Sequence, residues 1–144
     1  RNKVKYMASF VHLIHGVDTE KLLVEINKQA AKHQRSIPCL LQVHIAEEST
    51  KFGFAEPELT ELIDRKDEFP NVAIKGLMGM ASFTDNTEQV QQEFRGLKKL
   101  FDQFFKKTDT AVLSMGMSGD YPIAIAEGST LIRVGSKIFG ARNY

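Results

Sequence analysis

The chain has 144 residues, enough for one domain with a real hydrophobic core. Hydrophobic residues make up 42% of it and charged residues 26%, the balance of an ordinary globular protein. The 19 Lys and Arg nearly cancel the 18 Asp and Glu, leaving a formal charge of +1. That balance argues against a general nucleic-acid surface or an anionic-membrane surface. No apolar run approaches the roughly 20 residues that span a bilayer. The single cysteine, Cys39, has no internal partner for a disulfide, which points to a reducing, cytoplasmic setting.

Taken in chain order, the apolar pattern alternates between short β-like runs and helical stretches. The N-terminal residues read as the middle of a helix, which suggests that further chain precedes them. Residues 10–17 read as a strand that ends at Asp18, a candidate N-cap for a helix burying Leu22, Leu23, Ile26 and Ala30. Pro38 punctuates, and residues 39–45 form a second strand. A loop over residues 46–55 leads into a helix with Pro57 in its first turn and Leu59, Leu62 and Ile63 turned inward. Pro70 and Asn71 break that helix ahead of a third strand, residues 72–78.

Asp85, Asn86 and Thr87 offer three caps for the longest helix, whose stripe is Val90, Phe94, Leu97, Phe101 and Phe104. Gly96 costs this helix ~1 kcal/mol relative to Ala, which the buried stripe must outweigh. Residues 110–115 form a fourth strand, a glycine-containing loop follows, and residues 121–127 form a short helix ended by Gly128. Residues 130–134 are a fifth strand, and a turn over residues 136–139 closes the pattern. Such strand–helix alternation signals parallel βα units in one domain, residues 1–144, with no linker. Two architectures share it. One is a doubly wound sheet with helices on both faces; the other is five-eighths of a (β/α)₈ TIM-type barrel, with an inner face that needs a lid.

Two stretches near the C-terminus bear on that choice. Residues 113–120 read Leu-Ser-Met-Gly-Met-Ser-Gly-Asp, and residues 126–142 read Ala-Glu-Gly-Ser-Thr-Leu-Ile-Arg-Val-Gly-Ser-Lys-Ile-Phe-Gly-Ala-Arg. Together they resemble the signature of the pyridoxal phosphate homeostasis family, single-domain relatives of the alanine racemase N-terminal barrel. Residues 43–54, Gly76-Leu77-Met78 and Asn2-Lys3 extend the resemblance over the whole chain. It implies a (β/α)₈ barrel of which this chain supplies strands four to eight. A barrel of this type typically takes about 250 residues, so the first three strands are expected outside this sequence. With them goes the lysine that, in the family, forms an imine with pyridoxal 5′-phosphate. The implied function is cofactor binding and homeostasis, by buffering or delivery and without turnover. An amino-acid racemase-like enzyme is the alternative. Such a racemase needs an acid/base on each face of the substrate carbon, one of them supplied by a β-domain after the barrel, and the sequence ends at Tyr144.

The residues at the two motifs have a physical basis for the implied role. Ligands of parallel barrels sit at the C-terminal strand ends, and phosphates often after strands seven and eight. Arg133-Val134-Gly135-Ser136 runs from a strand into a helix start, where unpaired N–H groups attract an anion. Gly135 allows close backbone approach, and Ser136 and Ser118 add hydroxyls. Met117 adjoins the same loop. The resemblance further implies that the Arg133 guanidinium faces the pyridine nitrogen, where a permanent charge disfavours protonation. The cofactor-binding set is therefore Met117, Ser118, Arg133, Gly135 and Ser136.

Other residues read more plainly. Asp120, ahead of Tyr121-Pro122, reads as a helix N-cap and not as an acid or base. His12 and His15 lie three apart on the expected first strand, so they leave opposite faces and share no metal. His44 reads as a satisfied core imidazole. Lys51, Lys75 and Lys137 are weak substitutes for the imine lysine: a rim element, a residue early in its strand, and a point charge at the phosphate turn. Met78, Met80 and Met115 read as adaptable core filler, and Cys39 as a small buried hydrophobe.

Overall fold

The computed structural model describes residues 4–48, 52–105 and 110–133, and within these the side chains of all but Tyr6 and Arg133. Helix α1 (Val4–Met7) leads into strand β1 (Ile14–Val17), followed by α2 (Glu20–Lys32), β2 (Ile37–Gln42), α3 (Glu56–Asp64) and β3 (Val72–Gly79). Then come α4 (Thr87–Phe104), β4 (Val112–Met117), α5 (Tyr121–Ala126) and β5 (Leu131–Arg133). The turn expected over residues 136–139 lies outside the described residues.

All neighbouring strands pair in parallel, in the spatial order β1-β2-β3-β4-β5. This order decides between the two architectures. A doubly wound sheet reverses its strand order at a switch point, which places helices on both faces. Right-handed crossovers that always step to the next strand place every helix on one face, as in a barrel. Here α2 packs on β1, β2 and β3, while α4 packs on β3 and β4 and α5 on β4 and β5.

The core lies between that outer helical layer and the sheet. Cys39 and Leu41 of the second strand with Val43 just beyond its end, Leu77 of the third, and Leu113 and Met115 of the fourth face it. Leu23 and Ile26 of α2, Leu59 and Leu62 of α3, and Val90, Phe94, Leu97 and Phe101 of α4 meet them. The four α4 residues are four of the five in the stripe expected from sequence, and the fifth, Phe104, is partly buried against the same core. Phe101 also stacks on Phe105, ring centres 5.3 Å apart.

Alternation along β2 turns Leu40 and Gln42 to the opposite, inner face of the sheet. Leu40, Gln42, Met78 and Ser114 are nevertheless buried, so the uncovered inner face expected of a partial barrel is not what these residues show. Among the described residues the large exposed apolar side chains, Phe10, Val24, Phe52, Phe83, Met117 and Ile125, lie on helices, in loops or at a strand end.

Several boundaries differ from the sequence reading, each for a local reason. The first strand begins at Ile14 and not at residue 10: Phe10 N–H and Val11 N–H both bond to Met7 O, so residues 8–11 continue the turn after α1. His12 therefore lies outside the strand that was to separate it from His15. Helix α2 is capped by Thr19 in place of Asp18, its Oγ1 accepting Leu22 N–H at 3.1 Å. Of the three candidates for α4, Asn86 is the cap, with Oδ1 accepting Gln89 N–H at 3.1 Å. Glu58 reaches back to Ala55 N–H at 2.9 Å at the start of α3.

Gly128 ends α5 with a left-handed φ of +106°. Ser129 N–H bonds to Ala124 O and Gly128 N–H to Ile125 O, the paired bonds of a Schellman close. That close redirects the chain straight into β5.

Candidate functional site

In a parallel sheet every strand ends at the same edge, so the loops after β2, β3 and β4 and the end of β5 share one rim. The expected residues begin there. Met117 is the last residue of β4 and is the register partner of Arg133, the last residue of β5. The two motifs recognised in sequence therefore leave adjacent strand ends. Met117 is 45% exposed and Ser118 is half-buried in the turn that follows. Of the five expected residues, Met117, Ser118 and the backbone of Arg133 are brought together. The Arg133 side chain, Gly135 and Ser136 lie outside the described residues, as do Lys51 and Lys137.

Local chemistry explains how Ser118 comes to this edge. Gly116 has φ +106°, and a Cβ there would lie 2.7 Å from Ala124 Cβ, 3.1 Å from Ile132 Cγ2 and 3.3 Å from Tyr121 Cα. Only glycine lets β4 bend beneath α5 at that distance. The following turn closes through Asp120 N–H to Met117 O at 3.1 Å and Met117 N–H to Asp120 Oδ1 at 2.8 Å. Asp120 does occupy the N-cap position of α5, as expected, but its carboxylate makes no bond to the helix. The capping role is thus corrected: the side chain faces back, into the turn.

A second set of bonds locks β5 against β4. Thr130 Oγ1 accepts Leu113 N–H at 2.8 Å, and Ser129 Oγ lies 2.7 Å from Met115 O and 2.9 Å from Leu131 O. These two hydroxyls bind the strands that carry the site. Their position between a helix-ending glycine and a strand was the available signal, and the sequence reading did not use it. Glu127 then ties α5 to α4, accepting from Arg95 Nε at 3.0 Å and from Gln91 Nε2 at 3.0 Å. Bonds from Arg95 and then Gln91 hold its carboxyl below the usual carboxylate range.

The neighbouring loops of the rim are equally well tied. Gln42 Nε2 donates to Phe52 O at 3.1 Å. Ser82 donates from its backbone N–H and its hydroxyl to the two oxygens of Glu93, at 2.7 and 2.6 Å, and accepts Glu47 N–H at 2.8 Å. Phe83 N–H donates to Glu48 Oε2 at 3.0 Å. Phe52 and Phe83 stand on these loops with 70% and 94% of their surface exposed.

The remaining candidates sit as follows. His44 is half-buried and outside the core, with Nε2 3.0 Å from Glu48 O; a carbonyl only accepts, so this nitrogen is the donor of that bond. Burial pushes the Cys39 thiol up to about 12, leaving it without thiolate character at neutral pH. Lys75 is exposed where the β2–β3 register slips, with Leu40 pairing to Gly76 directly after Cys39 to Ile74. Met115 is fully buried and Met78 nearly so. Among the described residues no group of His, Cys, Asp or Glu could hold a metal ion. None of the described helices is long and apolar enough to cross a membrane.

A half-barrel of sequentially ordered parallel strands, with its motifs on the last two strand ends, defines a class of barrel protein. The alanine racemase N-terminal domain family matches residues 2–143, and the chain belongs to that family. It is 41% identical to the pyridoxal phosphate homeostasis protein of Aquifex aeolicus, with 99% of this chain matched to 64% of that protein. It is 36% identical to the protein of the same name from Vibrio alginolyticus, over 99% of this chain and 62% of the relative. The chain thus spans less than two thirds of these relatives' length, namely their C-terminal portion.

Among solved structures it resembles PipY of Synechococcus elongatus with pyridoxal phosphate bound, at a TM-score of 0.82 and 30% identity. That match covers 96% of this chain and 66% of PipY. Alanine racemase of Streptomyces lavendulae, at a TM-score of 0.74 and 13% identity, shares the fold over 98% of this chain and 38% of the racemase.

Proposed function

We propose that the protein binds pyridoxal 5′-phosphate at the C-terminal edge of β4 and β5 and serves in cofactor homeostasis, holding and releasing the cofactor without turnover. The observation that carries this reading is the register pairing of Met117 with Arg133, which sets the two strand ends that bear the motifs side by side. What supports it among the described residues is a half-buried hydroxyl, Ser118, at that edge, followed by the exposed Gly119, which leaves the approach to it unobstructed.

In this reading the phosphate is held by the Ser118 hydroxyl and by the backbone N–H groups of Gly135 and Ser136, with Met117 alongside. The cofactor supplies an aldehyde and an electron-withdrawing ring. Arg133 restrains that ring by keeping a positive charge beside the pyridine nitrogen, which disfavours protonation. The lysine that anchors the aldehyde belongs, by family resemblance, to the first strand of the complete barrel. The names of the relatives and the bound cofactor of PipY support the ligand and the homeostatic role.

Binding of inorganic phosphate, pyridoxal and pyridoxal phosphate to a barrel-length protein tests this. Ser118→Ala removes one hydrogen bond to a charged group and should cost roughly 1.5–3 kcal/mol in pyridoxal phosphate affinity. Pyridoxal binding should hold. Arg133→Ala should change the bound cofactor's absorbance and its pH dependence more than the phosphate affinity. An equal loss for pyridoxal and pyridoxal phosphate in Ser118→Ala would place the phosphate elsewhere.

A further inference from the structure

We infer that Asp120 is the positioning residue for the Ser118 hydroxyl, an inference that rests on the phosphate site proposed above. Its carboxylate leaves the helix it precedes uncapped and accepts Met117 N–H at 2.8 Å. Its own N–H donates to Met117 O at 3.1 Å. Residues 117–120 are thereby closed from both sides, with Ser118 and Gly119 as the two residues inside the ring. Met117 ends β4, and the β4–β5 register slips between Ser114↔Leu131 and Met117↔Arg133. The carboxylate takes up the N–H of the last strand residue, just beyond that irregularity, and so sets the direction in which Ser118 leaves the sheet.

Electrostatics alone would not favour this arrangement. A carboxylate two residues from an anion-binding hydroxyl repels the anion. Its contribution must therefore be geometric: an acceptor of the right length at the right atom. An asparagine offers a similar acceptor without the charge, and an alanine offers neither. The two substitutions separate position from charge.

The experiment uses a barrel-length protein titrated with pyridoxal phosphate, pyridoxal and inorganic phosphate, alongside amide hydrogen exchange at Met117 in the ligand-free state. Asp120→Ala should weaken pyridoxal phosphate by about tenfold, leave pyridoxal within about twofold, and speed Met117 exchange by at least about tenfold. Asp120→Asn should restore slow exchange and bind pyridoxal phosphate at least as tightly as the unsubstituted protein, because the repelling charge is gone. Asp120→Ala binding unchanged, or Asp120→Asn failing as badly as Asp120→Ala, overturns the inference. Rescue by Asp120→Asn also guards against a simple folding defect. Ser118→Ala separates the two proposals: if it leaves pyridoxal phosphate affinity intact, the phosphate site itself fails. If it weakens binding while Asp120→Ala does not, only the role of Asp120 falls.

Discussion

Two glycine-to-alanine substitutions should move stability in opposite directions, and the structure states why. At Gly116 the backbone has φ +106°, a region that an L-residue rarely enters, and the added Cβ would sit 2.7 Å from Ala124 Cβ. Holding alanine in such a conformation costs ~1–3 kcal/mol. Relieving the contact by shifting α5 away from β4 costs a further ~1–3 kcal/mol, as overpacked cores do. Together Gly116→Ala should destabilise the protein by about 2–6 kcal/mol. At Gly96, in the middle of α4, an added Cβ meets nothing within 4 Å, so Gly96→Ala recovers helix propensity and should stabilise by ~1 kcal/mol. Urea denaturation with a common m-value reads both changes. A Gly116→Ala protein within about 0.5 kcal/mol of the parent would mean that β4 and α5 are not held at this distance, and the reasoning that places Ser118 through Gly116 would fail with it. A destabilised Gly96→Ala would mean that something packs against α4 at that position.

The remaining expectations concern charge and the lysines. Glu127 has its carboxyl lowered by Arg95 and Gln91, so below the ordinary Glu value of about 4.3 the unfolded chain binds a proton that the folded one refuses. Its stabilisation is present at neutral pH and is lost as pH falls through the lowered folded value. The acid limb of stability against pH should be shallower in Glu127→Gln, measured by denaturation at stepped pH; an unchanged limb counts against the Arg95 clamp. Pyridoxal phosphate added to these 144 residues, followed by borohydride and peptide mapping, should mark no lysine specifically. A stoichiometric label on Lys51 or Lys137 would assign the anchoring role to that residue.

The elements were legible because burial follows period. The α4 stripe from Val90 to Phe101 and the alternation through Cys39, Leu41 and Val43 both face one core, and each is a local pattern. Element ends were less legible, because neighbouring side chains compete for the same cap. Asp18 and Thr19 are both good N-caps, yet only one can sit where its oxygen meets Leu22 N–H. Phe10 and Val11 look like strand residues in isolation, but the α1 turn claims their N–H groups. The choice between a doubly wound sheet and a barrel was not written in periodicity at all. Both give the same alternation of strands and helices, and only spatial strand order separates them.

The candidate site was half legible for the same reason. Its hydroxyl belongs to a contiguous motif, so Ser118 could be named from sequence, whereas the part Gly116 plays in turning β4 under α5 was not read there. What holds them is spread out: Ser129 and Thr130 bridge to β4 from across α5, and Gln91 and Arg95 grip Glu127 from α4. Asp120 shows the difference most clearly. Its sequence neighbours, Tyr121-Pro122, say helix start, and the backbone obeys, since Ile123 and Ala124 both donate to Asp120 O. Its carboxylate, however, has a choice between the helix ahead and the strand N–H behind. Because α5 is only six residues long, with Pro122 lacking an N–H in its first turn, the helix offers few free donors to cap. The Met117 N–H, at the end of a ladder that has slipped register, is the donor in need of a partner, and the carboxylate goes there.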